Sequence, residues 1–344
     1  MRRIALVWGV ALLCSVPMAA DELPAWVKNT TISALVFGDA YWVSEHHTPA
    51  IEGANGFQLR RVFLTFDHKL SDQWSARLRF EANGKGDFTS SVDLEPFVKD
   101  AFIRYTGGRH QATLGIQPTP TMEVAEKLWG YRSVEKTLLD LNRFGLTRDT
   151  GVAISGSFDA GKKVRYWAMF GNGSGTRDET NEGKRDYFAL DLVPSEAWIF
   201  ELYGDLDQRP GATDRTTLQV VGGYQGARGR FGLQFARQER ELASGGDETI
   251  DAASVFGSIK LSDKLHLLAR YDHTFDPNAE VARNVFIPFD GTSKVNLVVL
   301  GLDYKALKNL SLIPNVEYAF YEKAGAGPDP KDDLYVRLTF FWQI

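Results

Sequence analysis

Arginines at every second position carry the first sign of what this chain can do. Arg61, Arg77, Arg79 and Arg104 share one parity on three consecutive alternating stretches, and Arg165, Arg270 and Arg337 share it further on. Acids fall on the same parity at Asp39, Asp67, Glu81, Asp100, Glu201, Asp205, Asp272 and Glu317. Charges of both signs along one face of a sheet cannot fill an apolar core, because each unpaired charge taken out of water is costly. The chemistry they suit is electrostatic, since rings of side-chain charge around a wet passage set which ions enter it. The segment 118–150 adds Glu123, Glu126, Glu135 and Asp140, with Lys127, Arg132, Lys136 and Arg143. Loop acids facing wall arginines would set up a field across the opening. The plainer use of the same charges is to pair with one another and keep a wet wall solvated.

Nothing comparable points to catalysis. The six histidines are His46, His47, His68, His110, His266 and His273, and none has the helical spacing of a metal pair. His46 and His47 are adjacent in a loop, where solvation is the expectation. His266 shares the parity of Arg270, but no serine or cysteine motif offers a nucleophile beside it. Gly171-Asn172-Gly173-Ser174-Gly175 follows a strand and opens no helix, so it is a loop and not a phosphate cradle. No enzyme, metal or cofactor is expected. The net charge is −5, or −7 once Arg2 and Arg3 are removed with a leader, which is not the balance of a nucleic-acid binder.

Sixteen alternating stretches would position these charges, beginning with Ile32 to Trp42 and ending with Asp333 to Ile344. In the last, Leu334, Val336, Leu338, Phe340, Trp342 and Ile344 form one apolar row, and Tyr335, Arg337, Thr339, Phe341 and Gln343 lie between them. At about ten residues such a strand spans a bilayer when tilted, and its backbone must find partners in a closed sheet. Short connections such as 69–73, 106–110 and 226–229 alternate with long ones such as 43–56, 118–150 and 272–295, the habit of transmembrane barrels. Aromatics mark strand ends at Trp42, Trp74, Tyr105, Tyr187, Trp198, Tyr224, Tyr271, Tyr304 and Trp342, as interfacial girdles do. Arg60 and Arg237 are the charges on the apolar parity, both near strand ends. A soluble all-β sandwich or propeller would alternate too, but it would not need the length, the girdles or the short/long rhythm. Lys69-Leu70-Ser71-Asp72 recurs as Lys260-Leu261-Ser262-Asp263, which reads as shared turn chemistry.

The first twenty residues read as an export signal, with Arg2 and Arg3, an apolar run from Ile4 to Val16 and a small-residue site ending at Ala20. The one cysteine, Cys14, lies inside it, so no disulfide framework is expected. In 118–150, Thr121 is placed to cap a short helix carrying Val124 and Leu128. Ser133 is placed to cap a second with Val134, Leu138 and Leu141. Apolar helical positions in so long a loop suit packing on the inner wall of a barrel, narrowing it. An outer cap or a contact between subunits is the alternative.

Four segments resemble the phosphate-selective porin O/P family: Gly56-Phe57-Gln58-Leu59-Arg60-Arg61-Val62-Phe63-Leu64; Asp100-Ala101-Phe102-Ile103-Arg104-Tyr105 followed by Gly115-Ile116-Gln117-Pro118; Arg148-Asp149-Thr150-Gly151-Val152; and Tyr166 to Gly173. The resemblance spans most of the chain and is strongest before Gly173. It implies a sixteen-stranded, trimeric outer-membrane porin in which Arg60 and Arg61 belong to an anion-attracting arginine track. It also implies that the terminal aromatics are the tag read by the barrel assembly machinery. No later inward face carries a lysine- or arginine-rich run, and Arg228 and Arg230 flank a turn, so the porin function carries over and phosphate selectivity does not.

The expectation is therefore all-β. Residues 1–20 are a signal peptide. Residues 21–344 form one transmembrane antiparallel β-barrel of about sixteen strands, with a helical constriction loop at 118–150. The barrel would sit in outer-membrane lipid with both mature termini periplasmic, as a homotrimer, and bind no nucleic acid. It would pass small hydrophilic solutes or ions, anions such as phosphate among them. Arg60, Arg61, Arg77, Arg79, Arg104, Glu123, Glu126 and Lys127 would line the pore. A non-conducting structural or adhesive barrel is the alternative.

Overall fold

A computed structural model describes residues 24–90 and 93–344; the expected signal peptide lies outside them. A one-turn helix α1 (Ala25–Lys28) leads into strands β1 (Thr30–Glu45), β2 (Asn55–Lys69), β3 (Trp74–Asn83), β4 (Glu95–Gly107) and β5 (His110–Pro118). The long loop 119–147 carries helices α2 (Glu123–Trp129) and α3 (Leu138–Leu141). Then come β6 (Arg148–Ser157), β7 (Val164–Gly171), β8 (Arg185–Ser195), β9 (Trp198–Asp207), β10 (Arg215–Gly226), β11 (Gly229–Glu241), β12 (Asp247–Lys260), β13 (Leu265–Thr274), β14 (Ser293–Leu307), β15 (Leu310–Lys323) and β16 (Asp333–Gln343). Each strand pairs with its neighbours in sequence, and β1 pairs with β16, closing a sixteen-strand antiparallel barrel. The last strand lies between β15 and β1, with Phe37 opposite Phe341 and Asp39 opposite Thr339.

The alternation read from the sequence is the alternation of the wall. Leu202, Leu218, Val220, Leu233, Phe235, Leu300 and Leu338 are exposed on the outside. Glu201, Gln219, Gln234, Ser254, Asp303 and Thr339 are buried on the inside. A sheet with its greasy row outward and its polar row inward is the reverse of a soluble sandwich. Among the described residues no helix is long and apolar enough to cross a membrane. Trp74 packs on Tyr105 with ring centroids 5.1 Å apart, and Trp198 on Tyr224 at 5.3 Å, along the rim of short turns. Tyr187 is not part of a girdle: it points inward, is buried, and its hydroxyl donates to Asp149. Lys69 pairs with Asp72 and Lys260 with Asp263, each at 2.7 Å, so the repeated tetrapeptide is one turn used twice.

Two further expectations change. The 238–251 connection is not long, because β11 and β12 extend upward as a hairpin closed by residues 242–246. The helices in 119–147 are not capped as the spacing suggests. The residue before α2 is Met122, and the Thr121 hydroxyl instead bonds the Tyr203 hydroxyl at 2.8 Å. The second helix is a single turn preceded by Thr137, with Ser133 in the turns before it.

The outward face of β11 provides a test. Leu233→Arg places a charge among apolar neighbours near mid-barrel, and in lipid vesicles it should cost about 2–4 kcal/mol. Urea titration of the folded fraction measures this, and an unchanged midpoint would put that face in water.

Candidate channel constriction

A β-bulge explains the paired arginines. Arg61 is opposite Phe37 while Leu59 is opposite Gly38, leaving Arg60 as an extra residue in β2. A bulge lets two successive side chains leave the same face, so both Arg60 and Arg61 reach the interior. The same device recurs in β4, where Asp100 faces Arg79 and Val98 faces Phe80, with Lys99 between. Lys99 and Asp100 are both buried inward. Period-2 reading placed Arg60 on the apolar side and passed over Lys99, because a bulge breaks the period without changing the composition.

Arg60 does not line open space. It is buried beneath the long loop, 3.0 Å from Glu135 Oε2 and 3.7 Å from Asp39, and it donates to the Val134 carbonyl at 2.5 Å. Arg337 of β16 completes the group, 3.4 Å from Glu317 and 3.9 Å from Asp39, and donates to the Phe286 carbonyl. Burial alone would raise the Glu135 carboxyl, but Arg60 and Lys136 outweigh it and hold that carboxyl below its ordinary range. In the same loop Asp140 is held down to about 2: burial opposes this, and Arg132 and Lys136 prevail.

The loop's apolar side packs on the inner wall. Val124, Leu128, Trp129, Val134 and Leu141 share one core with Val221, Phe256, Leu268, Val299 and Ile313, all inward residues of β10 and β12–β15. Polar anchors fix its backbone: Gln219 donates to Thr121, Gln238 and Arg185 donate to Phe144, and Arg230 donates to Lys127. A second loop, 275–292, also folds in, which its sequence did not signal. Val281, Phe286, Ile287 and Phe289 are buried, Asn278 and Asn284 donate to the Asn142 and Leu141 carbonyls, and Arg215 clasps Glu280 at 2.7 Å.

Open space remains against β1–β4, the start of β6 and β16. A cavity of ≈ 840 Å³ is bounded on the loop side by Glu126, Arg132 and Ser133 and on the wall side by Arg61, Arg79, Lys99 and Arg148. Behind the wall cations sit two fully buried acids. Arg61 (3.0 Å) and Lys99 (2.9 Å) share Glu81; Arg79 (3.3 Å) and Arg148 share Asp100. Four cations thus answer to two acids, leaving a positive excess toward the open side. A group of acids lies elsewhere: Glu123 is near Asp191 on β8, which Arg165 pairs at 3.7 Å, and near Glu201 on β9.

Of the expected pore residues, Arg61, Arg79 and Glu126 line the cavity and Arg60 lies buried beside it. Arg77 pairs with Asp67 at 2.7 Å, and Arg104 bonds Thr113 and stacks on Phe102, both nearer the short-turn rim. Glu123 and Lys127 are exposed on α2 outside the cavity lining. Lys99, Arg132 and Arg148 join the cavity. Arg148 opens β6 from a stretch that the sequence assigned to loop.

His46 and His47 are not solvated. Their rings stack 4.3 Å apart, His47 bonds Asp333 through Nδ1 at 2.9 Å and through its amide at 2.6 Å, and the Tyr321 hydroxyl donates to Asp333. The three residues offer ligand atoms within 4.8 Å of one another, but the Thr48 amide already donates to His46 Nδ1 at 2.8 Å. These bonds make the group a polar clasp between the first loop and β16.

A closed barrel of sixteen strands, polar within and apolar without, is the architecture of porin-type channels. The profile of the family described as phosphate-selective porin O and P matches residues 48–122, which takes in the paired arginines, the Asp100–Tyr105 strand and Gly115–Pro118. The resemblance read from those segments is borne out there. Among solved structures, an anion-selective porin from Comamonas acidovorans matches with a TM-score of 0.69 at 14% identity, over 92% of this chain and 99% of that one. The outer membrane channel DcaP of Acinetobacter baumannii matches at 0.63 and 14%, over 92% and 97%. A trimer form of OmpT, an outer membrane protein of Vibrio cholerae, matches at 0.58 and 14%, over 91% and 99%. At this identity the likeness is one of fold. No curated protein sequence matches.

Arg60→Ala should destabilise the barrel by about 3–5 kcal/mol, because it leaves the buried Glu135 without its ion-pair partner and Asp39 with Arg337 alone, at 3.9 Å. Arg77→Ala, in a half-exposed pair, should cost less than about 1 kcal/mol. Thermal unfolding of the two variants in detergent, followed by heat-modifiable gel mobility, would reverse this ranking if the buried group were unimportant.

Proposed function

We propose that this protein is an outer-membrane porin for passive diffusion of small hydrophilic solutes, and that its passage favours anions. The observation that carries the reading is the cavity wall on which Arg61, Arg79, Lys99 and Arg148 share only Glu81 and Asp100. Acids buried behind a wall hold the cationic heads in place while leaving excess positive potential at the opening, and low-dielectric walls focus it. The 119–147 loop acts as the constriction: its apolar face rests on β10 and β12–β15, and its Arg132 and Glu126 face the remaining opening. Anion preference also agrees with the structural likeness to the anion-selective Comamonas acidovorans porin, and trimeric assembly with the likeness to the trimer form of OmpT. The short-turn rim, where β1 begins and β16 ends, is the periplasmic one, so both mature termini lie there, in a protein exported by its leader and surrounded by outer-membrane lipid.

One observation favours a second reading. Two loops, not one, are packed into the interior, with Val281, Ile287 and Phe289 joining the core under the constriction loop. A barrel plugged in this way could be a structural or adhesive surface protein that does not conduct.

Planar bilayers decide between them. Purified protein should give discrete conductance steps, and in a KCl gradient the reversal potential should take the sign of chloride preference. Arg61→Gln, Arg79→Gln and Lys99→Gln together should move it toward potassium. Folded protein without steps would establish the non-conducting barrel, and steps with potassium preference would overturn the anion reading.

A further inference from the structure

The cationic cavity has a second wall, and that wall is apolar. Leu35 and Phe37 of β1, Phe63 of β2 and Phe341 of β16 all line it. They are contiguous by register: Leu35 is opposite Phe63, and Phe37 is opposite both Phe341 and Arg61. Inward positions of a water-filled barrel are ordinarily polar, because apolar side chains there gain nothing from the lumen. Inward apolar residues on the far wall, Val221, Phe256, Leu268, Val299 and Ile313, have an evident partner, since they pack under the long loop. Leu35, Phe37, Phe63 and Phe341 belong to neither packed cluster. Leu35, Phe63 and Phe341 remain part-exposed to the cavity, and the Arg79 guanidinium lies 5.9 Å from the centre of the Phe63 ring.

From this juxtaposition we infer that the cavity is a binding subsite for small aromatic monocarboxylates. The inference rests on the anion reading above and names its solute class. A carboxylate fits the Arg61, Arg79, Lys99 and Arg148 side, where guanidinium groups accept planar two-oxygen anions in a fork. The body of the same molecule would lie on the phenylalanines, where rings stack or meet edge to face. The volume is in the range that holds a small organic ligand. An inorganic anion uses only the cationic half and leaves the apolar strip wet, and an uncharged aromatic uses only the strip. The phenylalanine strip begins beside the short-turn rim, at Gln343 and Ile344, so a ligand reaching it from the opposite mouth passes the constriction first.

The test uses the full-length purified barrel in planar bilayers, with benzoate, acetate and inorganic phosphate each titrated against the chloride current. Benzoate should reach half-block at a concentration about tenfold below that of acetate, the gain from partly burying one ring, and phosphate should not match it. Phe63→Ser with Phe341→Ser should bring the benzoate and acetate values together, whereas Phe63→Leu, which keeps an apolar surface, should preserve most of the difference. Equal values for benzoate and acetate on the unsubstituted protein would overturn the inference, as would a difference that survives the double serine variant. If that variant does not fold, the benzoate-to-acetate ratio of the unsubstituted protein decides alone. The two readings fail separately: chloride preference with no benzoate preference removes this inference only, and potassium preference removes the anion reading beneath it.

Discussion

The interior of this barrel depends on a buried ionic group. Arg60 and Arg337 come from strands on either side of β1, and Asp39, Glu135 and Glu317 surround them, all nearly or wholly withdrawn from solvent. Each charge alone would be prohibitively costly there, so the group forms only when the barrel has closed and the long loop has entered. Glu135 belongs to the loop, Asp39 and Arg60 to the first hairpin, and Glu317 and Arg337 to the last. One cluster therefore couples the closing seam of the sheet to the position of the 119–147 loop. The Phe286 and Val134 carbonyls, which accept from the two arginines, bring both inward loops under the same control.

With the loop tied at that point, the rest of the lumen divides by chemistry. Toward β10 and β12–β15 the loop meets Val221, Phe256, Leu268 and Val299, and apolar burial closes the space. Toward β1–β4 and the start of β6 it meets Arg61, Arg79, Lys99 and Arg148, which cannot be buried without partners, and the space stays open. Glu81 and Asp100 are what make that wall stable, since each holds two cations in place from behind. The cationic face of the wall and its order thus have the same origin.

Much of the barrel was legible in the order of residues. Rows such as Leu334, Val336, Leu338, Phe340 and Trp342 declare a strand with one greasy face, and the spacing of turns declares how many strands there are. The inward placement of Arg61, Arg79 and Arg337 follows from the same parity. The site was less legible for identifiable reasons. Bulges at Arg60 and Lys99 move charges across the parity line. Arg148 is hidden because the strand begins earlier than its apolar pattern. Loop 275–292 has Val281, Phe286, Ile287 and Phe289 at no regular period, so nothing in it announces an inward fold.

By itself, then, the sequence determined what is local and periodic: strands, their faces, the aromatic rims and the barrel they must close, because a side chain's face follows from its position in a strand of period two. Only the tertiary structure decided which charges share a partner, which are sealed beneath a loop and which face open space. Those outcomes are set by contacts between residues far apart in the chain, as when Glu135 meets Arg60 and Asp100 meets Arg148. Such contacts exist only after closure of the sheet has brought the loop and the two ends of the chain together.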